Sequence, residues 1–369
     1  MPRSTPPSAA SNTLNLGGCH IEAAELVIPC PELDATVIFF TEQLGFRVDA
    51  VVPADSPRQV VISGYGVRIR LDRDAGGDPG ALRLTTNGDP DVTVAPNGTR
   101  IELVAANRRA RRPALKSSLV IQRLANDAQW TEGRAGMRYR DLIPDRQGGR
   151  FIASHISIAG GDVEDYVHYH DVHFQMIYCY QGWVRVVYED QGEPFVLRAG
   201  DCVVQPPLIR HRVLEASPGL EVIEIGSPAT HETLTDHQLV LPTATFDPQR
   251  NFDGQRFVRH QASEASWQPW GSGYQARDLG IAEATSGIAG GYVVRSTASA
   301  IAHPLRHDAE LVFTFITAGS VALQISDRDT QSLSAGDCFV VPAAVDHTIA
   351  EPSLDLELLI VSLPAAHGI

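Results

Sequence analysis

The chain is short of positive charge and of cysteine. Against 44 acidic residues it has 30 Lys and Arg, giving a net charge of −14. A field of that sign repels phosphate, which argues against nucleic acid and anionic membranes as partners. The one basic run, Arg108, Arg109, Arg111, Arg112 and Lys116, reads as a solvated linker around Pro113 rather than an anion patch. The five cysteines, Cys19, Cys30, Cys179, Cys202 and Cys338, are odd in number, scattered, and form no C-x-x-C pair. That excludes a disulfide framework and a zinc-thiolate site, and points to a reducing cytoplasm. No apolar run approaches the roughly 18 residues of a membrane-spanning helix. The opening MPRSTPPSAASNT lacks the apolar stretch of a secretion signal and reads as a disordered lead-in over residues 1–19. A Gly-rich phosphate loop, a G-x-S-x-G elbow and an H-E-x-x-H helix are all missing.

What the chain does have is length and an internal repeat. Its 369 residues exceed what one hydrophobic core usually spans. Ten residues after Trp130 comes Arg140-Asp141-Leu142, and ten after Trp267 comes Arg277-Asp278-Leu279. The offset of 137 residues persists from His170 to His307 and from Gly182 to Gly319. After one deletion it becomes 136, pairing Gly200-Asp201-Cys202 with Gly336-Asp337-Cys338, Pro206 with Pro342, and His211 with His347. This predicts two copies of one domain. Each copy carries short segments rich in β-branched and aromatic residues, such as WVRVVYE and SVALQIS, separated by Gly, Pro and Asp. Such spacing predicts a sandwich or jelly roll.

The first copy places His168 and His170 two residues apart, so on one strand both imidazoles point to the same face. Gln175 follows, and His211 stands on a later segment behind Gly200-Asp201 and Pro206. Three imidazoles and an amide oxygen form a donor set that suits a transition metal. This pattern resembles the cupin superfamily, whose motifs are G-x5-H-x-H-x3–4-E-x6-G and G-x5-P-x-G-x2-H-x3-N. The resemblance implies two tandem jelly-roll barrels and makes His168, His170, Gln175 and His211 the expected ligands of one divalent ion. Iron(II) is favoured, with Mn, Ni or Zn open. Three departures stand out: Gln175 occupies the usual Glu position, Leu208 replaces a Gly, and Glu215 replaces an Asn. In the second copy Leu305 and Val312 replace His168 and Gln175, while His307 and His347 remain. With His303 and Glu310 these leave open a second site, but a structural or dimerising barrel is the expectation. The layout is similar to that of ring-cleaving bicupins of the gentisate dioxygenase type.

Residues 20–106 read differently, as strand, helix, then several strands. LDATVIFFTEQLGF and PNGTRIEL resemble the glyoxalase/bleomycin-resistance (vicinal oxygen chelate) family, which implies a small α+β module of βαβββ type. Glu102 falls on that family's final-strand metal Glu, and Glu25 stands where its first His would be, so a packing role is expected.

The expected organisation is a lead-in (1–19), this module (20–106), a linker (107–129), a metal-binding barrel (130–245) and a degenerate barrel (246–369). The expected function is a metal-dependent dioxygenase acting on a small organic acid or aromatic compound, as a cytoplasmic homodimer. A non-redox lyase or isomerase and a non-catalytic small-molecule binder are the alternatives. Candidates for substrate contact or acid–base work are His173, Tyr178, Arg185 and Arg210, and His155 could support the site.

Overall fold

A computed structural model describes residues 22–106, 112–127, 129–133, 136–163 and 165–366. The expected lead-in, Cys19 and the arginines 108, 109 and 111 of the basic run lie outside the described residues. The chain divides after Arg108 into two compact units.

In the first unit the order is strand Leu26–Pro29, helix Leu33–Ile38 continued by a π-turn, then strands Arg47–Val52, Gln59–Gly64 and Val67–Asp72. The first strand runs parallel to the last, so the sheet order is first, fourth, third, second. Leu33, Phe40, Phe46, Ile62, Ile69 and Leu71 are buried between helix and sheet. Three further strands, Ala81–Thr86, Arg100–Ala105 and Asp91–Val94, form a separate small sheet.

The second unit is mainly β and contains the two expected jelly-roll barrels. A seven-stranded sheet of the first barrel is centred on Phe174–Gln181, Leu220–Ser227 and Ile152–Ile158. It faces a sheet built from Phe195–Arg198, Trp183–Tyr188, His211–Ala216, His168–His170 and Thr233–Thr235. The second barrel repeats this with Leu311–Ala318, Glu357–Leu363 and Gly290–Ser296 facing His303–Leu305, His347–Ala350, Ser320–Ile325 and Gln331–Ser334. The registers of the repeats coincide. His168 lies opposite His211 as Leu305 lies opposite His347. The same bulge falls between Cys179 and Gln181 and between Ile316 and Ala318. The residue missing from the second copy falls in a hairpin turn, 189–194 in one barrel and 326–330 in the other.

The repeated tripeptides hold the barrels together. Arg140, fully buried, donates from Nη2 to the carbonyl of Gly336 at 2.6 Å, and Arg277 reaches the carbonyl of Gly200 at 3.5 Å. Asp337 accepts from the backbone N–H of Leu124, and Asp201 from that of Ala262, each at 2.8 Å. Tyr178, Phe174, Phe313, Phe315, Cys202 and Cys338 share one apolar core between the barrels. The clamp also exchanges strands. Val258–His260 pairs with Cys202–Val204 of the first barrel, and Val120–Gln122 pairs with Cys338–Val340 of the second. The sequence places these strands in the second barrel and in the linker, because a short strand carries no mark of which sheet it will join.

All four described cysteines are free and buried. Burial pushes the thiols of Cys179 and Cys338 up to about 12, so they are protonated and unreactive at neutral pH. No helix among the described residues is long and apolar enough to cross a membrane.

Leu208 stands where the resemblance expects Gly, and its φ is 63°; its repeat partner Ala344 has the same φ. A side chain in that left-handed region costs on the order of 1–2 kcal/mol, partly offset by the greater entropy loss of a Gly. Leu208 is also substantially exposed, so little packing is lost on truncation. Leu208→Gly is expected to stabilise the protein by about 1 kcal/mol in denaturant titration. An unchanged or lower midpoint would contradict the strain assignment.

Candidate metal centre

The two facing sheets of the first barrel enclose a cavity of about 260 Å³. Alternation along each strand decides what lines it. Ser154, Ile156 and Ile158, then Gln175 and Ile177, then Val184, Val186 and Tyr188, then Val222 and Glu224 all point inward. Ile, Val and Leu are the commonest lining residues, polar side chains line the rest beside Met137, Tyr139 and Tyr188, and no Lys or Arg lines the cavity among the described residues.

Into this apolar space one sheet projects His168, His170 and His211. Their candidate ligand atoms all lie within 4.8 Å of one another, the only such group found among the described residues. Each imidazole is held from behind. Nδ1 of His168 lies 2.8 Å from the carbonyl of Tyr166, and Nδ1 of His211 lies 3.0 Å from that of Ile209. A carbonyl only accepts, so both Nδ1 atoms carry a proton, and that of His168 also lies 3.5 Å from the buried Asp165 carboxylate. Nδ1 of His170 lies 3.2 Å from the hydroxyl of Thr233. Tyr188 stacks on His211 with ring centres 5.3 Å apart, and its hydroxyl accepts from Gln205 Nε2 at 2.8 Å. Burial holds that phenol protonated.

The opposite sheet contributes Gln175, 2 % exposed. Its Nε2 donates to Glu224 at 2.6 Å, while its Oε1 is buried without a hydrogen-bond partner. A buried carbonyl-type oxygen left so is costly, about 1–3 kcal/mol. Three clustered imidazoles and an orphaned amide oxygen lining one cavity fit a divalent transition metal. His231 also lines the cavity; its Nδ1 lies 3.1 Å from the carbonyl of Pro228 and its ring centre 5.4 Å from that of His170.

The structure clusters His168, His170 and His211 and places Gln175 in the lining of the same cavity. The other four candidates stand elsewhere. Tyr178 is next to the inward Ile177 and so faces the inter-barrel core. Arg185, between inward Val184 and Val186, points out and pairs with Glu215 at 3.2 Å. Arg210 lies over the ring of Tyr169 at 4.2 Å and pairs with Asp236 at 3.4 Å. His173 precedes the strand and lies outside the cavity lining; burial, with the charges of Arg112 and Arg150, holds its imidazole below the usual range. His155 also faces outward, bonded to Glu221 at 2.7 Å between Trp130, Tyr180 and Phe315. Sequence reasoning missed Glu224, His231, Tyr188, Gln205 and Thr233. Strand alternation reveals Tyr188 and Glu224 once the inward face of each strand is known, but His231 lies on a loop and carries no such signal.

The second barrel is filled. Leu305 and Val312, at two ligand positions, join a core with Ile316, Leu323, Phe339 and Ile349. His307 Nε2 is 2.9 Å from the carbonyl of Val341, and His303 lies against Trp270. Glu310 is drawn away by Arg150 at 2.7 Å and Arg112 at 3.1 Å. In the first unit Glu25 pairs with Arg70 at 2.5 Å, and Glu102 with Arg100 at 2.6 Å and Arg83 at 2.9 Å. These carboxylates serve ion pairs, and hydrogen bonding to arginine holds both below the usual carboxylate range.

Comparison with known proteins places this geometry in context. Residues 154–224 match the family model described as Cupin domain, a span that contains all four donors. Oxalate decarboxylase from Bacillus subtilis is similar in structure, with a TM-score of 0.52 at 11% identity over 70% of this chain and 80% of that one. The Lactobacillus farciminis oxalate decarboxylase formate complex gives 0.50 at 13% identity, over 69% and 88%. Protein Ylba from E. coli gives 0.50 at 10% identity, over 69% and 95%. Identities this low establish a shared fold. No curated protein matches the sequence.

Burial holds the imidazoles of His260, His303 and His347 below the ordinary value of 6.5. The folded state keeps them neutral, while the unfolded chain takes up protons near 6.5, so their stabilisation is complete above that pH and is lost below it. The denaturation midpoint is expected to fall as pH drops from 7 to 5, and less steeply in His347→Gln. Equal slopes for the two proteins would contradict this.

Proposed function

We propose that the first barrel is the active centre of a metal-dependent cupin enzyme, with His168, His170, His211 and Gln175 holding one divalent transition metal. The observation that carries this is the orphaned Oε1 of Gln175, buried on the wall opposite three imidazoles whose Nδ1 atoms are already engaged. Such an ion supplies positive charge and open coordination positions for a small molecule. Iron(II) is the favoured occupant.

Within that class the reading favoured here is an oxygenase acting on a small, mostly apolar compound. The wall chemistry supports it. Isoleucine and valine supply much of the lining, and apolar walls strengthen the electrostatic contacts inside. With no Lys or Arg lining the cavity among the described residues, a dianion such as oxalate would have only the metal to balance its charge. An aromatic or other apolar compound with one chelating group fits better. Ile156, Ile158, Val184 and Val222 would grip its body. A Lewis-acid lyase or isomerase is the second reading, favoured by His231 and Glu224, two groups able to hold or move a proton at the cavity wall. The first unit is read as a vicinal-oxygen-chelate-like module used for packing, which its βαβββ strand order supports.

The purified protein is expected to carry about one divalent ion per chain by elemental analysis. Adding that ion to stripped protein at 100 times its Kd should stabilise it by about 2.7 kcal/mol. His168→Ala/His211→Ala should lose both effects while melting cooperatively. A stripped protein that gains no stability from Fe, Mn, Ni or Zn would overturn the site. Oxygen uptake by the iron-loaded protein, across small aromatic compounds carrying a chelating oxygen pair, separates the two reactions. Turnover with no oxygen consumed would favour the lyase or isomerase.

A further inference from the structure

A carboxylate is the usual fourth donor implied by the resemblance, and here a neutral amide stands in its place. An amide presents either its oxygen or its NH2 group, and only the oxygen can ligate a cation. Something must therefore fix which end faces the histidines.

Glu224 is placed to do so. It lies on Leu220–Ser227, directly opposite Ile177 and diagonal to Gln175, whose own cross-strand partner is Gly226. Diagonal neighbours on one face of a sheet are within reach of long side chains. The Glu224 carboxylate accepts from Gln175 Nε2 at 2.6 Å. By accepting from the NH2 group, the Glu224 oxygen holds the NH2 end and leaves Gln175 Oε1 as the end turned away from it, buried and unpartnered. The repeat supplies an internal control. The same register in the second barrel puts Ile360 opposite Thr314 and Ser362 opposite Val312, so Val312 and Ile360 replace Gln175 and Glu224. The barrel that lost the amide also lost its carboxylate, and both positions joined the apolar core.

We infer that Glu224 is a positioning residue that locks the Gln175 amide with its oxygen toward the metal, and so keeps the negative charge of the site one residue behind the ligand. This rests on the metal-site reading above. Moving the charge back leaves an ion bound by four neutral donors more electrophilic than a directly bound carboxylate would. It also keeps Glu224 near enough to stabilise the ion from the cavity wall.

The test measures Mn(II) and Zn(II) affinity by titration of stripped full-length protein, together with the melting curve of each metal-free variant. Glu224→Leu removes the acceptor and frees the amide to turn, so affinity is expected to fall about ten- to a hundred-fold. Glu224→Gln keeps an acceptor oxygen and should recover most of that loss. Gln175→Glu combined with Glu224→Gln keeps one amide donor and one carboxylate acceptor, and should bind at least as tightly as the wild type. A purely structural role would lower the melting temperature of metal-free Glu224→Leu while leaving the affinity of the folded fraction unchanged, and that result would overturn the inference. Equal affinity in Glu224→Leu and Glu224→Gln would also overturn it. Failure of the wild type itself to bind either ion would overturn the metal reading and this inference together.

Discussion

Polar atoms inside an apolar barrel are expensive unless something satisfies them, and that cost organises the first barrel. Three imidazoles and an amide project into a space walled by isoleucine, valine and leucine. The protein meets the demand of each Nδ1 itself, through two loop carbonyls and a threonine hydroxyl. It meets the demand of the Gln175 NH2 group through Glu224. What it leaves unmet is the Gln175 oxygen, on the wall opposite the cluster of three imidazoles. On the reading proposed here a cation would satisfy that oxygen, and its binding would turn a local penalty into folding stability.

The second barrel shows the other solution to the same constraint. Where Leu305 and Val312 replace donors, no ion is needed, and the interior closes around a hydrophobic core. This filled barrel gives the first one a rigid partner. The reciprocal reach of Arg140 to Gly336 and Arg277 to Gly200, with one strand crossing in each direction, ties the pair into one compact unit. The repeated Arg-Asp-Leu and Gly-Asp-Cys segments are therefore marks of assembly, while His168, His170 and His211 cluster at the cavity of one barrel alone.

Much of this was legible in the sequence. The offset of the two copies located equivalent residues, and the cross-strand register repeats it at His168/His211 and Leu305/His347. The spacing of His168, His170, Gln175 and His211 selected four side chains that line one cavity, the three histidines in one cluster. Tyr178 and Arg185 are each adjacent in sequence to a lining residue and so lie on the opposite face of their strands, while Arg210 sits just before the strand His211–Ala216, over Tyr169. A period of two makes an error of one residue total, and a single sequence does not show which phase faces inward. Glu224 and Tyr188 needed the register between strands, and His231 needed the course of a loop. The exchanged strands Val120–Gln122 and Val258–His260 needed the partner barrel, because three residues carry no pattern of their own.

The central claim is that one ion sits between the two sheets, held by three imidazoles and an amide. Anomalous scattering at the metal edge, from crystals grown with iron or manganese, tests it most directly. The account predicts a single peak between His168, His170 and His211 on one side and the Gln175 oxygen on the other, with none in the second barrel. A peak in the second barrel, or no peak in the first from metal-saturated crystals, would contradict it.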